Sequence, residues 1–237
     1  MPNGCPIAPT DLGRQALFAG LAEANLARIA EAGSIIDVKR GERVLSRGDR
    51  LDGLYVLLSG SLKLYVLSCG GDERVLRVLA PGDSFGEAIM FNRIPSPVFV
   101  ESLASARLAF FPREVITDVL VRAPDFTDTM LRSMSNLMHQ LIQDLETCCL
   151  HNALQRTVHY LLRKADAAPT PHVEVQLPAS KAVVASMLNM SAETFSRELH
   201  RLQDEGLIEI NRRVIYLRSR DGLIDLAQGS LKPQTAH

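Results

Sequence analysis

Three periodicities divide the chain. Short apolar-rich segments at 54–58, 62–67 and 75–79 are separated by turn formers, with Gly41, Gly48, Gly53, Gly60, the Gly70 and Gly71 pair, Gly82 and Gly86 punctuating the region. Short strands with glycine turns at this spacing predict a compact antiparallel barrel or roll. Ahead of it, residues 10–32 read as two small helices, the second carrying Leu26 and Ile29 inward. Behind it, residues 126–150 form one long helical pattern. Leu131, Met134, Met138, Leu141, Leu145 and Cys148 step by three and four without interruption, the spacing of a two-helix coiled-coil seam. A second stripe, Met130, Leu137 and Ile142, gives the helix another apolar side. One side covers the roll and the other meets a partner, so a parallel homodimer is expected.

The third periodicity lies between residues 177 and 217. Ser180 is placed to cap a helix over 181–188, and Asn189, Met190 and Ser191 supply a short turn in which Ser191 caps a second helix. At about 100° per residue, positions 193, 196, 197, 200 and 201 share one side of that second helix, while Phe195, Leu199 and Leu202 share the other. Residues 208–210 and 214–217 have strand composition and are joined by Asn211, Arg212 and Arg213, a basic wing beside the second helix. This is the pattern of a winged helix-turn-helix, whose second helix enters the DNA major groove. The polar face carries suitable chemistry. Arginine donates to the O6 and N7 edge of guanine, a carboxylate accepts from cytosine N4, and serine serves either role. Arg197, Glu193 and Ser196 are therefore the candidate base contacts. Ser180, Lys181, Ser191, Arg201, Arg212 and Arg213 are the candidate contacts to the DNA backbone. Glu193 and Arg197 are also four residues apart, so an ordinary intrahelical ion pair competes with the groove reading.

Composition sharpens this only in places. The chain has 237 residues, 46% hydrophobic and 22% charged, enough for two modest cores without disulfide support. A net charge of −1 does not advertise nucleic-acid binding. From His151 to Arg220, however, ten lysines and arginines face seven acidic residues, a mildly basic C-terminal part. No eighteen-residue apolar run and no basic segment followed by an apolar core occur, so a cytoplasmic protein without a membrane span is expected. Cys5, Cys69, Cys148 and Cys149 have no metal-finger spacing. Reduced thiols are expected, with Cys148 and Cys149 as small buried apolar residues. No nucleophile with a base, no carboxylate pair and no phosphate-cradling glycine loop points to catalysis, so the chain is read as no enzyme.

Over residues 17–220 the chain resembles the CRP/FNR superfamily of bacterial transcription regulators. The run Ala192, Glu193, Thr194, Phe195, Ser196, Arg197 resembles the recognition motif of FNR-type members. Cyclic-AMP receptors of the family carry arginine where this chain has Ala192, which implies TTGAT rather than TGTGA half-sites. The resemblance implies an α+β chain: an N-terminal segment at 1–17, a double-stranded beta roll like the cyclic-nucleotide-binding domain at 18–123, a dimerisation helix at 124–151, and a winged helix-turn-helix with its tail at 152–237. It also implies double-stranded DNA, a second copy of the chain and RNA polymerase as partners.

An effector pocket is implied around Phe85, Gly86, Glu87 and Ala88, with Arg93 nearby. In nucleotide-binding members the Phe-Gly-Glu motif is followed by Arg-Ser or Arg-Thr, and here Pro95, Ser96 and Pro97 follow instead. A buried phosphate without a charged partner is costly, which argues against cyclic AMP. Three clustered N-terminal cysteines are missing, which argues against an iron-sulfur cluster. Within the superfamily the motifs are most similar to the DNR (dissimilatory nitrate respiration regulator) branch, whose members respond to nitric oxide through haem. His139, His151, Cys69 and, after loss of Met1, the Pro2 amine are the candidate haem ligands. The alternatives are a cyclic-nucleotide-responsive regulator and, in another class, a cupin-like ligand-binding protein that does not touch DNA.

Overall fold

The computed structural model describes residues 7–13, 15–166 and 174–228. Pro2, Cys5 and the end of the C-terminal tail lie outside the described residues. The chain separates into two compact units, Met1–His139 and Gln140–His237. The division falls inside one long helix, so that helix belongs in part to each unit.

In the first unit, helices α1 (Pro9–Gly13) and α2 (Glu23–Ala32) precede strands β1 (Ser34–Val38), β2 (Arg43–Leu45), β3 (Gly53–Ser59), β4 (Leu62–Leu67), β5 (Glu73–Leu79) and β6 (Ser84–Phe85). Helix α3 (Glu87–Asn92), strands β7 (Phe99–Ser102) and β8 (Ala106–Pro112), and helices α4 (Arg113–Arg122) and α5 (Pro124–Leu150) follow. Two four-stranded sheets result, ordered β1-β8-β3-β6 and β2-β7-β4-β5, with antiparallel pairing throughout. The expected roll is present.

The alternation of side chains explains how one sheet serves two cores. Leu54 and Val56 of β3, with Ala109 and Phe111 of β8, join Phe18, Ile29, Ile116, Phe126 and Met130 in a cluster between that sheet and the helices. Leu57 and Leu108, one step out of phase, join Leu45, Leu62, Leu79 and Val100 of the second sheet in another. A sheet covered on both faces reads as a nearly continuous apolar run, as in Leu54 to Leu58. Phe18 anchors the helical side, its ring 5.2 Å from that of Phe111 and 5.8 Å from that of Phe126.

Helix α5 shows where the apolar stripes point. Phe126 and Met130 are buried at its start, whereas Leu131, Met134, Met138, Leu141 and Leu145 stand 40–64% exposed. Two expectations need correction. Spacing puts Ile142 on the side that covers the roll, but it is 57% exposed, and the buried residues of the helix are Phe126 and Met130 at its start. Cys149 is exposed and Cys148 only partly covered, so the pair is not a buried apolar plug within one chain.

The second unit contains α6 (Ala153–Asp166), β9 (Glu174–Gln176), α7 (Lys181–Met187), α8 (Ala192–Asp204), β10 (Ile208–Asn211), β11 (Val214–Leu217) and α9 (Arg220–Ala227). Its sheet runs β10-β11-β9. Helices α6 and α9 and strand β9 complete the unit beyond the two helices and ribbon expected from sequence. Val158, Leu161, Val184, Phe195, Leu199, Leu202, Ile215 and Leu223 form its core.

Candidate nucleic-acid interface

Helix α8 is held on one face and at its start. Its inner face is closed: Phe195, Leu199 and Leu202 have no exposed surface. Its start is fixed by the Ser191 hydroxyl, which accepts from the Thr194 N–H at 3.1 Å and donates to the Thr194 hydroxyl at 3.0 Å. The Ser180 hydroxyl caps α7 in the same way, accepting from the Val183 N–H at 3.4 Å. Each cap satisfies a helix-end donor that otherwise needs water. Between the helices Asn189 takes φ 55°, a left-handed conformation that asparagine tolerates better than most residues. Leu188 terminates α7 as its C-cap instead of extending it.

With the inner face packed, the outer face is set. Glu193 and Arg197 are exposed and Ser196 is half-buried. The competing intrahelical pair does not form. Arg197 instead lies 3.5 Å from the buried Glu198 through its Nε and keeps 70% of its side chain exposed. Glu193 is left with its carboxylate in solvent. Two charged groups that could have neutralised each other both remain available to a ligand.

The flanking cations differ in freedom. Arg201 donates to Glu205 at 3.1 Å, and Arg213 donates through Nε to the Ala179 carbonyl at 3.3 Å. Among the described residues, Lys181 and Arg212 have no ion-pair partner. Arg212 sits at the ribbon turn with φ 55°. The ribbon itself is tied down, since the Ile210 N–H donates to Gln203 Oε1 at 3.2 Å and the Leu177 N–H to the Arg213 carbonyl at 2.8 Å. Gln203 and Thr194 carry no signal of their own in the sequence, because their roles depend on a neighbouring strand and a helix cap.

The residues expected to form an effector pocket are spread along α3. Phe85 is buried between the two sheets, and Gly86 is the N-cap of α3 at φ 103°. Glycine is required there by its conformation, and a Cβ would in addition have to push the end of the Leu51 side chain aside, 2.5 Å away. Burial pushes the Glu87 carboxyl above the usual carboxylate range, against the Ser84 hydrogen bond and the Arg77 charge. Ala88 is exposed. Arg93 is the C-cap at the far end of α3 and lines a cavity with Arg50, Asp52 and Arg113.

Residues 35–123 match the cyclic nucleotide-binding domain family, and residues 155–226 match the Crp-like helix-turn-helix domain family. The fumarate and nitrate reduction regulatory protein of Escherichia coli is 27% identical over 195 residues, which cover 80% of this chain and 77% of that protein. A mutant CooA from Carboxydothermus hydrogenoformans superposes with a TM-score of 0.76 at 15% identity, covering 94% of this chain and 97% of that one, a likeness of fold alone. DNR from Pseudomonas aeruginosa is 31% identical, covering 91% of this chain and 95% of that one, with a TM-score of 0.48. No helix among the described residues is long and apolar enough to cross a membrane. With a nucleotide-binding-type roll ahead of a Crp-like winged unit, and relatives matched over both, this chain belongs to the CRP/FNR superfamily of DNA-binding transcription regulators.

Proposed function

We propose that the chain acts as a homodimer that reads TTGAT half-sites under the control of a signal taken up by its roll. Arg197 donates to guanine, Glu193 accepts from cytosine N4, and Ser196 discriminates a neighbouring base. The observation that carries this reading is that Glu193 and Arg197 face solvent without pairing to each other, on a helix whose other face is locked. Lys181 and Arg212 supply the freest phosphate contacts, with Ser180, Ser191, Arg201 and Arg213 around them. The exposed stripe Leu131, Met134, Met138, Leu141 and Leu145, continued by Cys148, is the dimer seam. Pairing along it provides two recognition helices, and successive major-groove faces of a palindrome lie about 34 Å apart. Signal binding biases a two-state equilibrium toward the DNA-competent arrangement. RNA polymerase is the partner through which such a regulator acts.

Gel-shift titration tests the reading. Preference for TTGAT-N4-ATCAA over a scrambled duplex is expected, and equal affinity at physiological salt would overturn the base assignments. If Lys181 and Arg212 of both protomers neutralise phosphates, the logarithm of affinity should fall against the logarithm of salt with a slope of about −3.6 or steeper.

The nature of the signal is the finer part of the reading. The DNR resemblance implies nitric oxide through haem; of the candidate ligands, Pro2 lies outside the described residues, and the three that are described offer no assembled haem site. Cys69 is exposed in the turn between β4 and β5, and His139 is exposed on α5. His151 stacks on His159 with ring centroids 4.3 Å apart, where burial and the neighbouring imidazole hold His159 below its ordinary value. Among the described residues no group of three or more His, Cys, Asp or Glu side chains could hold a metal. Adding haem to the oxygen-free protein is expected to give no saturating, nitric-oxide-sensitive visible band. A band that appears and is lost in C69S or H139A would restore the haem assignment.

A further inference from the structure

We propose that a second site, a cavity in the sensor unit walled by Arg50, Arg93 and Arg113, binds a small organic anion carrying two negative charges. The cavity has a volume of about 350 Å³, near the lower end of ordinary ligand sites. It is formed where the loop before β3, the end of α3 and the start of α4 meet. Four charged residues line it, three arginines and Asp52, and four apolar ones complete it: Leu51, Ile89, Met90 and Ile94.

The charges are unbalanced. Arg113 lies 3.0 Å from Asp52 through Nε, and its backbone N–H donates to the Asp52 carbonyl at 3.0 Å, which fixes where the guanidinium starts. The Asp52 side chain is 80% exposed, so solvent weakens its hold on the arginines. Among the described residues, Arg50 and Arg93 have no carboxylate partner. Three guanidinium groups against one carboxylate leave the cavity with two positive charges in excess. Like charges gathered at a concave surface repel one another and focus potential, and an anion relieves that cost.

Conformation and floor add to this. Arg93 is held at φ 54°, an uncommon conformation for a residue with a Cβ, and such residues concentrate at ligand and switch sites. Ile89 and Met90 are buried beneath it. An inorganic ion has no use for that apolar floor, whereas a carboxylate or phosphate on a short carbon skeleton uses both parts. Guanidinium forks match the paired oxygens of either group. The site adjoins the Phe-Gly-Glu segment through Leu51 but includes none of Phe85, Gly86 and Glu87 in its lining. It shares no residue with the α8 surface, so its success or failure is separable from that of the DNA reading.

Calorimetric titration of the full chain with phenyl phosphate and with succinate, at fixed ionic strength held by potassium chloride, tests the proposal. Saturable binding of at least one of the two probes, with one site per chain, is expected. The double variant R50Q/R93Q should weaken it at least tenfold. R93Q alone alters an exposed helix end. It should weaken binding while keeping the thermal unfolding midpoint, which separates loss of the site from loss of the fold. No saturable heat with either probe, or equal binding by wild type and R50Q/R93Q, would overturn the assignment.

Discussion

Replacing Arg197 with alanine should remove about 1–3 kcal/mol of discrimination at each half-site. A dimer contacts two half-sites, so the full palindrome is expected to lose about 2–6 kcal/mol, roughly thirtyfold to twenty-thousandfold in affinity. The loss should fall on duplexes that keep the guanine and be nearly absent on scrambled DNA. The reason is geometric. Arg197 is held on α8 by a packed inner face, is only loosely engaged by Glu198 at 3.5 Å, and has donors left for a base edge. Stability should change little, because the side chain is largely in solvent. R212A provides the contrast: removing a phosphate partner weakens all sequences alike and flattens the salt slope by about one for each phosphate no longer neutralised. Gel shifts on matched and guanine-substituted duplexes measure both. A uniform loss in R197A would mean that this arginine touches only the DNA backbone.

Replacing Leu141 and Leu145 together with aspartate should dissociate the dimer. Leu141 is 52% and Leu145 64% exposed in the single chain, so each has about 1–2 kcal/mol of further burial to gain from a partner. Symmetry counts every loss twice, giving about 4–8 kcal/mol for the pair of sites, roughly three to six decades in the association constant. Four carboxylates facing one another across the seam add repulsion. Sedimentation should show a single chain at concentrations where wild type sediments as a dimer. Affinity for the palindrome should drop to that of an isolated half-site. Neither leucine belongs to a buried core, so the fold of both units should survive, which circular dichroism can check. A double variant that still sediments as a dimer would locate the partner surface elsewhere.

The parts of the chain legible in advance share one property: their signal is local. Glycine-punctuated strands mark the roll because a turn needs its special residue at a defined place. Ser180 and Ser191 mark two helix starts because a capping hydroxyl sits three residues before the N–H it satisfies. The split of α8 into Phe195, Leu199 and Leu202 inward and Glu193 and Arg197 outward follows from helical periodicity alone. So does the apolar stripe along α5, which stands exposed from Leu131 to Leu145.

What remained hidden was set by contacts between distant segments. Ile142 has the spacing of a covering residue, yet the helix residues that join a core are Phe126 and Met130. Glu193 and Arg197 have the spacing of an ion pair. The packing of α8 set Glu198 beside Arg197 and left Glu193 unengaged. Arg50 and Arg113 are far apart in the chain and neither lies in a motif, so no local pattern joins them to Arg93 in one cavity. The sequence by itself determined the glycine-punctuated strands, the long helix, the two capped helices with the ribbon behind them, and the polar and apolar faces of α8, because helical and strand periods act over a few residues. Only the tertiary structure decided which charges stay unpartnered and where they gather, because pairing and cavity formation depend on segments brought together by the cores.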